Sequence, residues 1–223
     1  MKTIFWAGDS TVKQNSILTY PQTGIGQMLD RYLQKGAVAI SNHAENGRST
    51  KSFMDEGRVA AIYDDIRQGD FLFVQFGHND EKDNDPARYT DPDHEFCDNL
   101  ERFANAARNK NAIPVFITPV TRRRFTDPKA VYRHDRWAAA TRRKAKQLGA
   151  ALIDLTAMSE ELVLHTPEET RDEWFMKDGT HLKPEGAMAF AGLIAKGLYQ
   201  LGGEYRALLD TDYVESLKGE AKE

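Results

Sequence analysis

The sequence predicts an α/β protein built on a five-stranded parallel sheet, and three observations carry that expectation. Short apolar runs rich in Ile, Val and Phe recur along the 223 residues, the pattern of strands buried on both faces. Between them lie longer stretches with apolar residues at helical spacing. Hydrophobic residues make up 40% of the chain and charged residues 29%, enough apolar side chain for a substantial core. Alternation of this kind favours parallel strands joined by right-handed crossovers, with helices on both faces of the sheet.

Taken in order, the run TIFWA sets the first strand at 3–7, and a helix follows at 24–34. AVAIS gives the second strand at 37–41, before a long helical pattern at 50–67. FLFVQF gives the third at 71–76. The helix at 93–109 follows Pro92 and aligns Leu100, Phe103, Ala104 and Ala107 on one face. PVFIT gives the fourth strand at 114–118, followed by a helix at 131–148. ALIDL gives the fifth at 151–155, then a short helix at 157–164. The last helix, 184–201, opens on Pro184, which suits a first-turn position. The expected whole is a three-layer α/β/α sandwich with the flavodoxin-like strand order 2-1-3-4-5. One domain is expected over 1–202. The segment 203–223, ending in SLKGEAKE, reads as a polar tail that frays. The longest loops, near 78–92 and 122–129, follow predicted strands, so they are expected to rim a site at the carboxyl edge of the sheet.

A net charge of -4 and a pI near 5.9 argue against a protein that coats nucleic acid or an anionic membrane. A small or neutral partner fits better. The single cysteine, Cys97, permits no intrachain disulfide and reads as a buried thiol; no Cys/His spacing resembles a zinc site. In MKTIFWAGDS the apolar run is too short for a secretory signal, and no stretch approaches the ~20 apolar residues of a membrane span. A cytoplasmic protein is expected, with no metal and no cofactor. The sequence leaves the oligomeric state open.

Four short segments carry the chemistry. Gly8-Asp9-Ser10-Thr11 follows the first strand and places Ser10 at a tight strand exit, where a nucleophile belongs. After the second strand, Gly47 in ENGRS lets the backbone turn sharply and present its N–H to a ligand. After the third, Asn79 in GHND offers a side-chain amide to a developing oxyanion. Ahead of the last helix, Asp178 and His181 in DGTH are spaced so that the carboxylate holds one ring nitrogen while the other points outward. Taken singly, each is also what a turn or a helix cap looks like. Taken together, all four fall at one edge of the predicted sheet.

These blocks resemble, in order and spacing, the four sequence blocks of the SGNH-hydrolase superfamily. Within it, AGDSTV at 7–12, NGRSTKSF from Asn46 with EGR at 56–58, FVQFGHND at 73–80 and ITPVTR at 117–122 are similar to the rhamnogalacturonan acetylesterase family. The resemblance implies Ser10 as nucleophile, His181 as base and Asp178 as the group that orients it. It also implies an oxyanion hole of the Ser10 N–H, the Gly47 N–H and the Asn79 amide. The first block reads GDST here, not the GDSL of many lipases in the superfamily.

No long apolar segment is available for an acyl tunnel, and the rim loops are polar, so a short acyl group on a hydrophilic carrier fits. The expected partner is an acetylated oligosaccharide. Arginines at 122–124 are candidates to pair with uronate carboxylates, Arg122 first because it lies nearest the strand end. Trp174 is a candidate sugar platform, and His78 either touches substrate or braces Asn79. Trp6 reads as core, and His43, His94, His134 and His165 as surface residues. Rival readings are a deacetylase of xylan-type sugars, a general short-chain carboxylesterase, a flavodoxin-like or sugar-binding module, and a metal-dependent hydrolase built on Asp9, Asp178 and His181. Against a nucleotide-binding module, neither G-x-G-x-x-G nor a P-loop sequence is present.

Overall fold

In the computed structural model, which describes residues 1–123, 131–132 and 134–220, the first strand, β1 (Lys2–Gly8), lies inside the sheet and pairs on both sides. Its neighbours are β2 (Val38–Asn42) and β3 (Phe71–Gln75). Outward from β3 come β4 (Ile113–Ile117) and β7 (Ala151–Ile153), so the order is β2-β1-β3-β4-β7 with every pair parallel. This is the expected 2-1-3-4-5 arrangement of five sheet strands. A separate antiparallel pair, β5 (Arg122–Arg123) with β6 (Val131–Tyr132), stands beyond the carboxyl end of β4.

The strands read as continuous apolar runs because successive side chains enter two different cores. Ile4 and Trp6 of β1, Phe71 and Phe73 of β3, and Val115 and Ile117 of β4 face one cluster. Phe5 and Ala7, Leu72 and Val74, and Phe116 face the other. The first cluster is covered by α1 (Ile25–Leu29), α6 (Leu155–His165) and α8 (Pro184–Leu201), through Ile25, Leu29, Val163, Phe190 and Ile194. The second is covered by α2 (Thr50–Asp55), α3 (Arg58–Asp65), α4 (Glu95–Arg108) and α5 (Asp135–Leu148), through Phe53, Ile62, Phe103 and Trp137. A short helix, α7 (Glu168–Glu173), precedes the segment that leads into α8.

Three expectations are corrected. The helix expected over 50–67 is two, broken at Gly57, whose φ of 74° is left-handed and ends one helical turn before the next starts. The helix expected from 131 starts at Asp135, because Val131 and Tyr132 pair with Arg123 and Arg122 instead. The polar tail is in part core. Beyond Gly202 the chain forms α9 (Gly203–Arg206) and α10 (Thr211–Glu220), and between them Leu208 and Leu209 are buried in the first cluster, with Leu209 bridged to Leu33. Arg124 and most of the expected loop at 122–129 lie outside the described residues. No helix among the described residues is long and apolar enough to cross a membrane.

Candidate active site

The sheet puts the ends of β1, β2 and β3 at one edge, and the polar segments converge there. At the exit of β1 the chain turns so tightly that a β-carbon on Gly8 would stand 2.4 Å from Val12 Cγ2, which is why glycine precedes the Asp-Ser pair. Asp9 is buried and ties the turn: its Oδ1 accepts the Thr11 N–H at 2.9 Å and the Thr11 hydroxyl at 2.7 Å. Ser10 is thereby set at the turn with its side chain toward the opposite wall.

That wall is the segment ahead of α8. Phe175 and Leu182 form an antiparallel bridge, and the Met176 N–H donates to His181 O at 2.7 Å, so Asp178 and His181 ride on a closed hairpin. Its outer side is held by the Arg123 N–H on Gly179 O at 2.8 Å, its inner side by the Thr23 N–H on Leu182 O at 2.9 Å. Asp178 Oδ1 accepts the N–H groups of Thr180 and His181, both at 2.9 Å. Its Oδ2 lies 2.6 Å from His181 Nδ1, and His181 Nε2 lies 2.9 Å from Ser10 Oγ. Partial burial pushes the Asp178 carboxyl up, but the His181 ring and the two N–H bonds outweigh it and hold the group below its ordinary value. With Nδ1 protonated toward this carboxylate, Nε2 is free to accept the Ser10 proton.

Facing Ser10 are the other two expected donors. Gly47 adopts a φ of 74° in the loop after β2. Neither its N–H nor that of Ser10 donates to another protein group among the described residues. Asn79 Nδ2 donates to Arg48 O at 3.1 Å, which fixes the amide and leaves its second hydrogen for a ligand. The loops bearing Gly47 and Asn79 are stapled together by Asp80, whose Oδ1 accepts from Thr50 N at 2.9 Å, Thr50 Oγ1 at 2.6 Å and Thr90 Oγ1 at 2.9 Å. Burial pushes the Asp80 carboxyl up to about 7 against these bonds. Ser10, Gly47, Asn79 and His181 line one cleft of about 260 Å³, whose wall is completed by Gln22, Asn46, Lys82 and Arg88.

The three expected substrate contacts are not brought to this cleft. His78 turns inward and is 3% exposed, with Nδ1 3.5 Å from Asp9 Oδ2 and its ring centroid 4.1 Å from that of His134, the two planes tilted by 57°. It stands behind the site, beside the loop that carries Asn79. Arg122 meets Glu81 Oε1 at 3.1 Å and donates to His78 O at 3.2 Å, so it braces the same loop. Trp174 packs edge-on against Phe190, with its backbone closed against Gly186 of α8. His134, expected at the surface, is 2% exposed and bonded through Nδ1 to Glu81 Oε2 at 2.7 Å; burial, with His78 close by, pushes it down to about 3. Lys82 and Arg88 are cleft residues that the motif pattern did not single out. The metal set of Asp9, Asp178 and His181 is not assembled, because Asp9 is committed to Thr11 and faces His78. Among the described residues no group of three or more His, Cys, Asp or Glu is placed to hold a metal ion.

Known proteins share this arrangement of sequence and fold. The rhamnogalacturonan acetylesterase RhgT of Bacillus subtilis (strain 168) is 39% identical over 214 residues, spanning 89% of this chain and 90% of its own. The probable rhamnogalacturonan acetylesterase YesY of the same organism is 38% identical, over 89% of this chain and 93% of its own. Among solved structures, the Bacillus subtilis protein YxiM superposes with a TM-score of 0.81 at 29% identity, over 90% of this chain and 57% of that one. The acetylxylan esterase Axe2 of Geobacillus stearothermophilus shares the fold, with a TM-score of 0.64 at 14% identity over 92% of this chain and 95% of its own. The family model described as GDSL-like lipase/acylhydrolase matches residues 7–189, from the strand that delivers Ser10 well into the helix that follows His181. By that match and these relatives, the chain belongs to the GDSL-like lipase/acylhydrolase family of carboxylic ester hydrolases.

Proposed function

We propose that this protein removes acetyl groups from acetylated carbohydrate, with rhamnogalacturonan-type oligosaccharides as the substrate class, through an acetyl-enzyme on Ser10. The observation that carries the reading is the unbroken series Ser10 Oγ, His181, Asp178, at 2.9 and 2.6 Å, beside the Ser10 and Gly47 N–H groups, which donate to no protein group among the described residues. A serine hydroxyl is a weak nucleophile at neutral pH, so His181 Nε2 takes its proton as Oγ attacks the acetyl carbonyl. Negative charge gathers on the former carbonyl oxygen, and the Ser10 N–H, the Gly47 N–H and the Asn79 amide stabilise it. Asp178 keeps Nδ1 protonated and offsets the imidazolium charge. His181 then returns the proton to the departing sugar oxygen, and water repeats the cycle on the acetyl-enzyme.

The acetyl preference is supported by the size and lining of the cleft: about 260 Å³, walled by Gln22, Asn46, Lys82 and Arg88 rather than by aliphatic side chains. The carbohydrate preference is supported by the relatives at 38–39% identity that carry a rhamnogalacturonan acetylesterase name. The test is acetate release from defined acetylated pectic and xylan oligosaccharides, with wild type and Ser10→Ala compared on each. Wild type is expected to release acetate faster from the pectic set. Ser10→Ala is expected to release none, and none from nitrophenyl acetate, while keeping its circular dichroism spectrum. Turnover by Ser10→Ala removes Ser10 from the mechanism; equal rates on both sugar sets remove the pectic preference.

A further inference from the structure

The short antiparallel pair β5–β6 stands outside the main sheet, yet it is bonded to both halves of the active site. On one side it grips the loop that carries Asn79. Arg122 of β5 donates to His78 O at 3.2 Å and meets Glu81 Oε1 at 3.1 Å, while His134, just after β6, is bonded to Glu81 Oε2 at 2.7 Å. One carboxylate, two residues after Asn79, is thus held through both oxygens, one from each strand's side. Burial pushes the Glu81 carboxyl up, but His134 and Arg122 outweigh it and hold the group below its ordinary value.

On the other side the pair grips the hairpin that carries Asp178 and His181. The Arg123 N–H donates to Gly179 O at 2.8 Å, between the acid and the base in sequence. The Arg123 side chain is buried and fixed by α7, with Nε 2.7 Å from Asp172 Oδ1 and Nη2 3.3 Å from Glu168 Oε1. A buried ion pair stabilises a fold little more than apolar side chains of the same volume would, but its partners fix a direction. Here they fix the strand whose N–H holds Gly179. The strand is also anchored where it begins, since the Thr121 N–H donates to Ser159 Oγ of α6 at 3.0 Å.

Two adjacent residues therefore bond to the oxyanion loop and to the acid–base hairpin. We propose that β5–β6 is a bracket that sets this hairpin in register with the oxyanion loop, with Arg122 and Arg123 as positioning residues for ester hydrolysis. Both act through the backbone they hold. The distance from His181 to Ser10 depends on where the hairpin sits, and a displacement of about 1 Å costs on the order of 10²-fold in rate. The proposal rests on the Ser10 esterase reading and is independent of which sugar carries the ester.

The test compares Arg122→Met, Arg123→Met, the double variant and Arg123→Lys on nitrophenyl acetate, at a temperature where circular dichroism shows each to be folded. Each Met variant is expected to lose about 10- to 100-fold in kcat with KM unchanged, and to be labelled at Ser10 by a fluorophosphonate more slowly in proportion. Cutting a bracket at one end or at both has the same consequence, so the double variant should lose far less than the product of the two single losses. Arg123→Lys, which keeps a cation for Asp172, should regain most of the rate. Single variants with a lowered Tm but wild-type kcat and labelling would overturn the bracket, as would a double variant whose losses multiply. If Arg123→Met does not fold, Asp172→Asn loosens the same side chain without emptying its place, and an unchanged kcat there overturns the proposal. Failure of the serine mechanism itself would show separately, as turnover by Ser10→Ala.

Discussion

Gly47 and Asn79 define what the oxyanion side of the cleft demands of single residues. At φ 74° Gly47 occupies the left-handed region, where a side chain costs about 1–2 kcal/mol. Gly47→Ala is therefore expected to lower thermal stability by that order and to lower kcat, because relief of the strain swings the N–H away from the cleft. A variant as stable and as active as wild type would contradict both roles. Asn79→Ala removes an amide rather than a conformation, so its expected effect is a fall in kcat of about 10²–10³-fold with KM little changed; a loss confined to KM would point to ground-state binding instead. Residues of this kind were legible because reaction chemistry restricts their type: a nucleophile, an acid–base pair and donors announce themselves by identity and by position after a strand. His78, Arg122 and Trp174 had the right chemistry and the wrong direction, since a loop can turn a side chain inward as readily as outward. His134 and Arg88 were missed because what matters is the partner each finds, Glu81 and Asn79, and neither partner is adjacent in sequence.

At the scale of elements, the two oxyanion loops are one unit because a single buried carboxyl joins them. Asp80 is held at about 7 in the folded protein, against an ordinary 3.8. Between those values the folded state keeps a proton that the unfolded state has released, so this group makes stability fall as pH rises from 4 to 7. His134 acts in the opposite sense. Held at about 3 instead of 6.5, it lacks a proton that the unfolded chain carries, and it makes stability rise over nearly the same range. The two offset each other in the wild type. Asp80→Asn removes the falling part, so the variant's unfolding free energy is expected to gain on that of wild type from pH 4 to 7 by on the order of 3 kcal/mol, with Tm following. Parallel Tm curves would show that Asp80 does not titrate in this range. The elements themselves were readable in proportion to their length. The helix expected at 184–201 is α8 as it stands, because Pro184 opens it and an apolar face runs to its end. The break at Gly57 and the β5–β6 pair were not readable, since a left-handed glycine and a two-residue strand leave no periodic trace.

Across the whole molecule, a sheet buried on both faces fixes the site by bringing residues far apart in sequence to one edge. The strand order was legible because fully apolar strands alternating with amphipathic helices admit few topologies, and the reactive segments had to share an edge. The end of the chain was not legible, because two leucines among polar residues carry no pattern. Leu208 and Leu209 are nonetheless buried with Leu29 and Leu33, so Leu208→Ala is expected to cost about 2–5 kcal/mol in urea denaturation. A cost below about 0.5 kcal/mol would return this segment to a loose tail. Catalysis by this site depends on the hydroxyl at 10 being activated by the imidazole at 181. A fluorophosphonate that reacts only with activated serines tests this directly, with peptide mass spectrometry locating the adduct. The expected result is one adduct per chain, on Ser10, formed in step with loss of esterase activity and absent from His181→Ala. An adduct on another serine, or full activity in a protein labelled at Ser10, would contradict it.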